Sequence, residues 1–368
     1  MRVAITLEQC WHRAPGGTAR AAVETTRALL AADDASQREL IGVSARHRGP
    51  APAPFEPPIP TVAMPLPRRM LYDCWHHLRH PVLDRVTGRL DVIHATGLAM
   101  PPATAPIVWT LHDLAWRRDP STFTARGVRF FEAALELAKR DAALVLCSSQ
   151  ATLDDAHDAG LATDRLRLVP LGVVRSPPPA GDVVDAMKQQ HGLTRPYVLS
   201  VGTAEPRKNL ATLVAAMAEL DRPGLDLVLV GAAGWKEDVQ ALVASLGDRA
   251  RPLGFASDAD LAALYAGAAA FAYPSRWEGF GLPVLEAMAA GTPVVTSAGT
   301  SCAEVAGDAA LLVDPDDAGA LATALASILD DPTLADRLRH AGPERAATFP
   351  WTRTAELTAA AYREAAGR

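Results

Sequence analysis

Short, almost unbroken apolar runs set between helix-patterned stretches constrain this chain more than any other feature. Residues Arg2 to Leu7 (RVAITL), Asp91 to Thr96 (DVIHAT) and Ile107 to Asp113 (IVWTLHD) are three of them in the first half. Strands read this way when a parallel sheet is covered by helices on both faces. The second half repeats the pattern with YVLSV, LDLVLVG, PVVTS and ALLVDP. Alternation of this kind predicts an α/β protein of two Rossmann-like, doubly wound parallel-sheet domains facing a cleft. At 368 residues the chain is long enough for two cores. The expected divisions are an N-terminal domain over 1–174, a linker over 175–195 that begins RSPPPAGD, and a second domain over 196–348. A last helix over 349–368 is free to pack back on the first domain.

The stretch from Pro274 to Val295, PSRWEGFGLPVLEAMAAGTPVV, carries the most chemistry. A loop rich in glycine and aromatics, Arg276 to Gly281, runs into Pro283 and an apolar segment that stops at Gly291. Proline at a first helical position and glycine just past the last mark a short helix. Its opening N–H groups, around Gly279, Phe280, Gly281 and Leu282, form an anion site suited to phosphate. Glu278 lies in the loop and Glu286 in the expected first turn, with seven residues between them. Glu286 taken alone could simply complement the helix dipole. Glu278, between Trp277 and Gly279, needs a partner in so apolar a stretch. Upstream, the strand Tyr197 to Val201 ends at Gly202, and Arg207 and Lys208 stand just before the next helix. Two cations at a strand–helix turn suit a diphosphate, Arg through its planar fork and Lys as a point charge. A solvated basic pair is the plainer alternative.

This stretch resembles the signature of family-4 retaining glycosyltransferases of the GT-B fold, E-x7-E within PS-x-x-EGFGLP-x-LEAMA-x-G-x-PVV. The resemblance covers nearly the whole chain, is strongest from Tyr197 to Pro315 and loosens before Arg126. It implies transfer of a sugar from a nucleoside-diphosphate sugar to a hydroxyl acceptor, with retention of configuration and without a metal or other cofactor. By the same resemblance Glu286 holds the donor ribose, Glu278 lies near the transferred sugar, and Arg207 and Lys208 meet the donor phosphates. Gly254 and Phe255 read the base, and Gly16 and Gly17 form the glycine loop of the cleft. Thr203 departs from relatives that carry Arg directly after the glycine, which shifts the phosphate role onto Arg207 and Lys208. Similar sequences with the E-P-R-K run favour mannose, and so a GDP-mannose donor; glucose or another hexose stays open. The acceptor is a glycan, a lipid-linked sugar or a small molecule.

Several other residues are read from position. His112 and Asp113 close an apolar run, at the strand edge where open α/β sheets bind ligands; the resemblance puts His112 beside the transferred sugar. Gly16 and Gly17 at a loop–helix junction serve either a ligand or a tight turn, and no G-x-G-x-x-G follows the first strand. His76 and His80 stand four residues apart without a third ligand at a convincing spacing, so a solvated or acceptor-facing helix is the favoured reading over a metal site. Arg68, Arg69, Trp75 and Arg79 on that segment are compatible with an anionic or lipid-linked acceptor and a peripheral membrane contact. Asp258-x-Asp260 and Asp314-Pro-Asp316 read as a helix start and a loop rather than metal motifs.

A net charge of −6 argues against nucleic acid as a partner. Four scattered cysteines without CxxC indicate neither a disulfide framework nor zinc, and fit reduced thiols in the cytosol. The opening apolar run ends too soon for a signal peptide and no twenty-residue apolar span occurs, so a cytoplasmic protein is expected, at most at the inner face of a membrane. Three other functions compete with transfer. A nucleotide-sugar epimerase shares the fold, a pyridine-nucleotide dehydrogenase lacks its glycine fingerprint here, and a silent nucleotide-sugar-binding protein would not need Glu278, Glu286, Arg207 and Lys208 together.

Overall fold

The computed structural model describes residues 1–12, 15–174, 177–232, 234 and 237–367. Arg175 and Ser176, which open the expected linker, and Lys236, expected to begin a helix, lie outside the described residues. The chain divides into two compact units, Met1–Gly172 with Trp351–Arg368, and Val173–Pro350.

The first unit holds seven parallel strands, β1 (Arg2–Thr6), β2 (Glu39–Ser44), β3 (Thr61–Ala63), β4 (Val92–Ala95), β5 (Ile107–Leu111), β6 (Ala142–Cys147) and β7 (Leu166–Leu168), in the order β3-β2-β1-β4-β5-β6-β7. Successive side chains of a strand point to opposite faces. Ile93, Trp109 and Val145 therefore enter one core, and Val92, Val108 and Leu144 the other. Both faces are apolar, which is why these strands show no polar alternation in sequence. The helix Trp351–Ala366 belongs to this unit. Its Ala355, Ala359 and Tyr362 pack in the same core as Val3 and Val92.

The second unit holds six parallel strands, β8 (Tyr197–Val201), β9 (Asp226–Val230), β10 (Ala250–Gly254), β11 (Ala270–Tyr273), β12 (Val294–Ser297) and β13 (Leu311–Val313), in the order β10-β9-β8-β11-β12-β13. The order reverses direction between β8 and β11, and ligands of open α/β sheets bind at the carboxyl ends of strands at such a switch point.

Two local expectations need correction. The span 175–195 is not all linker: Gly181–Gln190 is a helix, with Met187 buried. The prolines that precede it and its opening Gly181 looked like linker composition, but the helix has a seat. A β-carbon on Gly267 would lie 2.9 Å from Val184 and 3.1 Å from Lys188, so a glycine there lets it approach. The segment RRMLYDCWHHLRH is an α-helix only over Arg68–Asp73, followed by a π-turn over Cys74–Leu78 that stops at Arg79 in the left-handed region. His76 is not a solvated or acceptor-facing group. Its ring stacks on Phe130 at 4.2 Å and its Nε2 accepts from the Met100 N–H at 3.1 Å. Burial, more than the charges of Arg79 and His77, holds it neutral with its pKa at about 4. Arg79 is tied to Asp141 at 2.7 Å and Trp75 is 3% exposed, so neither is presented to an acceptor. Among the described residues no helix is long and apolar enough to cross a membrane, and no group of three or more His, Cys, Asp or Glu could hold a metal ion.

Candidate donor-binding and catalytic site

The carboxyl edge of the second sheet gathers its chemistry from two loops. After β8 the chain makes a 3-10 turn, Pro206–Lys208, and Asn209 takes the left-handed conformation at φ 57° before the helix Leu210–Glu219. The turn ties to the loop after β11, where Arg276 N donates to Arg207 O at 2.8 Å. Arg207 and Lys208 thereby meet Glu278, seventy residues away in the chain. Lys208 Nζ donates to Glu278 Oε1 at 2.6 Å and to the Tyr273 hydroxyl at 2.6 Å. Arg207 Nη1 donates to Glu278 Oε2 at 2.7 Å, and Nη2 pairs with Glu205 at 2.7 Å. Ser275 Oγ lies 2.6 Å from Glu278 Oε1.

Glu278 is 7% exposed and Glu205 3%. Such carboxylates stay ionised in an apolar surrounding only when paired. Burial pushes the Glu278 pKa up, but Arg207 and Lys208 override it, together with the bonds from Lys208 and Ser275, and hold it down at about 2. Two cations and two carboxylates leave the cluster formally neutral. The N–H donors of Arg207 and Lys208 that face the edge are therefore already engaged by carboxylates.

The glycine loop before the next helix is shaped by sterics. Gly281 sits at φ +104°, and a β-carbon there would lie 3.0 Å from Cys302 Sγ. Only glycine fits both the conformation and the space. The helix behind it is Leu282–Ala289, so Pro283 occupies its second position, not its first. Glu286 correspondingly lies in the second turn, where Tyr265 donates to it at 3.0 Å, and the first-turn expectation fails. Phe280 is 5% exposed and packs edge-on against Phe349, and Leu282 is 8% exposed. These two can offer a phosphate only their backbone N–H groups; the side chains belong to the core. Ser301 Oγ fixes the loop from below by donating to Glu278 O at 2.7 Å.

A cavity of about 350 Å³ opens at the ends of β8, β9 and β10, lined by Gly202, Lys208, Gly231, Gly254 and Tyr273 among others. Gly254, at φ +72°, ends β10 on its wall, while Phe255 beyond it is 67% exposed. Gly231 and Gly234 are dictated by loop contact: β-carbons there would stand 1.9 Å from Gly202 O and 1.8 Å from Ala204 O. Tyr273, Ser275 and Glu205 are the cluster members that the sequence alone did not single out. Tyr273 and Ser275 flank the motif's first proline, and Glu205 opens the E-P-R-K run, so adjacency was their only signal.

In the first unit, His112 follows β5 directly. Its Nε2 lies 2.9 Å from Thr96 O. A carbonyl only accepts, so Nε2 carries the proton and Nδ1 keeps its lone pair. Burial lowers the His112 pKa against the opposing Thr96 bond and Asp113 charge, which favours this neutral form. Behind it, a 20 Å³ cavity is lined by His94, Thr96, Thr110, His112 and Ser148 among others, about room for one water. His94 bonds the Tyr362 hydroxyl and Thr110 Oγ1, each at 2.7 Å. Gly16, at φ +59°, begins the helix Gly16–Ala31, and Gly16 and Gly17 are both exposed. Ser257 caps the Asp258–Gly267 helix by accepting from Asp260 N at 3.1 Å.

Comparison with known proteins decides the family. The model described as "Glycosyl transferases group 1" matches residues 184–345, and "Glycosyltransferase Family 4" matches 15–177. The O-antigen chain mannosyltransferase B of Escherichia coli is 33% identical over 284 residues, 74% of either chain. The chain belongs to glycosyltransferase family 4. The MMP alpha-(1->4)-mannosyltransferase of Mycolicibacterium hassiacum is another relative of this glycosyltransferase-family chain, 31% identical over 313 residues, covering 78% of this chain and 74% of its own. In fold, the family-4 chain is similar to Anabaena Alr3699/HepE, solved with UDP and glucose, with a TM-score of 0.77 at 20% identity over 99% of this chain and all of that one. Sucrose-phosphate synthase from Thermosynechococcus elongatus superposes with a TM-score of 0.77 at 25% identity, covering 99% and 98%. The two sheets of this chain are those of the GT-B fold.

Proposed function

We propose that this family-4 protein is a retaining, metal-independent glycosyltransferase that moves a hexose, mannose in preference, from a nucleoside-diphosphate sugar to a hydroxyl of a glycan acceptor. The observation that supports this best is the cluster of Arg207, Lys208 and Glu278 at the carboxyl edge of the second sheet, beside the 350 Å³ cavity. The two mannosyltransferase relatives support the preference for mannose.

The reading gives each group a task. Arg207, Lys208 and the N–H groups around Gly281 meet charge that grows on the leaving diphosphate, a role a metal plays elsewhere. Glu286, beside Tyr265, accepts the donor ribose hydroxyls. Gly254 borders the space for the base. Glu278 keeps Lys208 and Arg207 in place until the phosphates arrive, and then faces the transferred sugar. His112, in the first unit, offers Nδ1 as a hydrogen-bond acceptor to a sugar hydroxyl. The leaving phosphate takes the proton of the acceptor hydroxyl on the same face, so the chain needs no separate base.

The test is to incubate the chain with GDP-mannose, UDP-glucose or ADP-glucose and a mannoside acceptor in EDTA. Release of nucleoside diphosphate and an α-configured product from an α-configured donor are expected. An inverted product, activity that returns only with a divalent ion, or an epimerised free donor would each overturn the reading.

A further inference from the structure

His94 is a buried histidine that no step above uses. It stands on β4, where the register pairs it with Val108 of the neighbouring β5. Side chains two apart on a strand share a face, so His94 and Thr96 lie on the same side as Thr110 and His112. The two segments exchange bonds there. His94 Nε2 lies 2.7 Å from Thr110 Oγ1, and His112 Nε2 lies 2.9 Å from Thr96 O. All four residues line the same 20 Å³ cavity, with Thr354 and Thr358 of the helix Trp351–Ala366 on its wall. That helix also brings Tyr362, whose hydroxyl lies 2.7 Å from His94 Nδ1.

The protons of this relay have one order. Tyr362 is 0% exposed, and among the described residues its hydroxyl bonds only to His94. A buried hydroxyl proton is costly to leave unpaired, so Tyr362 donates and Nδ1 accepts. Burial first, and the nearby His112 second, keep His94 neutral with its pKa at about 3. A neutral imidazole carries one N–H, which therefore lies on Nε2 and goes to Thr110 Oγ1. Thr110 bonds to nothing else among the described residues, so its own proton is left for the cavity. The space is polar and the size of one water, the conditions under which a buried water forms part of a structure. Thr96, on the other side of it, is held in place. Its N–H donates to Thr6 Oγ1 at 2.9 Å, and its Oγ1 accepts from Gln9 Nε2 at 2.7 Å.

We propose that Tyr362, His94 and Thr110 are positioning residues for His112, acting through one water in this cavity. The water accepts from Thr110 and donates to the Thr96–His112 pair, which holds the His112 ring in the form whose Nδ1 accepts. The proposal rests on the transferase reading, in which His112 meets a sugar hydroxyl, and carries that role back through the sheet to the last helix.

Nitrogen-15 NMR of the histidine rings in the full chain tests this, with signals assigned through His94→Gln and His112→Gln. The proteins compared are wild type, Thr110→Val, Thr110→Ser and Tyr362→Phe, each also assayed for transfer from GDP-mannose to a mannoside. Wild type should show His94 and His112 as neutral rings protonated at Nε2. Thr110→Val keeps the shape and removes the hydroxyl, so His112 should become a mixture of ring forms. Its kcat should fall about tenfold at an unchanged donor KM, the scale of a misplaced reacting group. Thr110→Ser should restore both, and Tyr362→Phe should release the fixed proton of His94 and shift His112 with it. A lowered melting temperature with unchanged His112 signals would make the relay merely structural and overturn the proposal. So would altered His112 signals with kcat unchanged, or a wild-type His94 protonated at Nδ1. If Thr110→Val does not fold, Tyr362→Phe decides by the same readouts. The spectra are read without turnover, so a wild type that transfers nothing counts against the transferase reading alone.

Discussion

Lys208 Nζ stands 2.6 Å from Glu278 Oε1, so the cation proposed for the donor phosphates is already the partner of the carboxylate proposed for the transferred sugar. The two residues form one device. Glu278 holds Lys208 and Arg207 aimed at the sheet edge, and also limits how strongly they attract an anion.

Glu278→Gln therefore acts in two directions. Removing one member of a buried ion pair costs about 3–5 kcal/mol, so the melting temperature without ligand should fall. With the competing charge gone, affinity for a nucleoside diphosphate should hold or rise, while the transfer rate drops. Thermal melts and calorimetry on one preparation measure both. A more than tenfold loss of nucleotide affinity would show that Glu278 itself grips the nucleotide.

The same pair sets a response to acid. The folded Glu278 pKa, at about 2, lies below the ordinary 4.5, so its stabilising share is complete above pH 4.5 and is lost as pH falls from there toward 2. Urea unfolding between pH 6 and 3 should show wild type and Glu278→Gln converging in stability as pH drops. Parallel curves would remove the pair from the acid response.

Buried histidines act at higher pH. His94 is 2% exposed, and burial, helped by His112, lowers its pKa to about 3; His76 is lowered to about 4. Each is neutral when folded and takes up a proton on unfolding below about pH 6.5. Their share of stability is full above that pH and falls as pH drops, by roughly 1.4 kcal/mol per pH unit for each. His94→Gln should flatten the stability curve between pH 6 and 4.5 by one such increment. An unchanged slope would contradict the neutral, buried assignment.

Gly281→Ala tests the loop proposed to meet the donor phosphates. The substitution meets a left-handed φ of +104° and Cys302 Sγ at 3.0 Å, so a loss of about 1–3 kcal/mol is expected. Because Cys302 is 0% exposed and has little room to move, Gly281→Ala should also weaken nucleoside diphosphate binding. A variant with native stability and affinity would mean that the loop tolerates a side chain.

Much of this was legible in sequence because parallel strands announce themselves: Val92, Ile93, Val108 and Trp109 are apolar since each faces a core. The Glu278 loop was legible through its glycines. The demand that Glu278 have a partner was also readable, but not its answer, because Arg207 and Lys208 lie seventy residues upstream and meet it only through sheet topology. His76 looked like a surface residue because a π-turn, which has no plain sequence signal, rotates it onto Phe130. The helix Gly181–Gln190 hid behind its prolines since it buries little beyond Met187.

The most direct measurement is calorimetric titration of GDP and UDP into wild type and Lys208→Ala, with EDTA present. Lys208→Ala should bind the preferred nucleoside diphosphate at least about tenfold more weakly, as loss of a charged hydrogen bond requires, while affinity for the matching nucleoside stays the same. Equal diphosphate affinity in the two proteins would contradict the account at its centre, since the cluster around Glu278 would then be a structural ion pair and not the donor site.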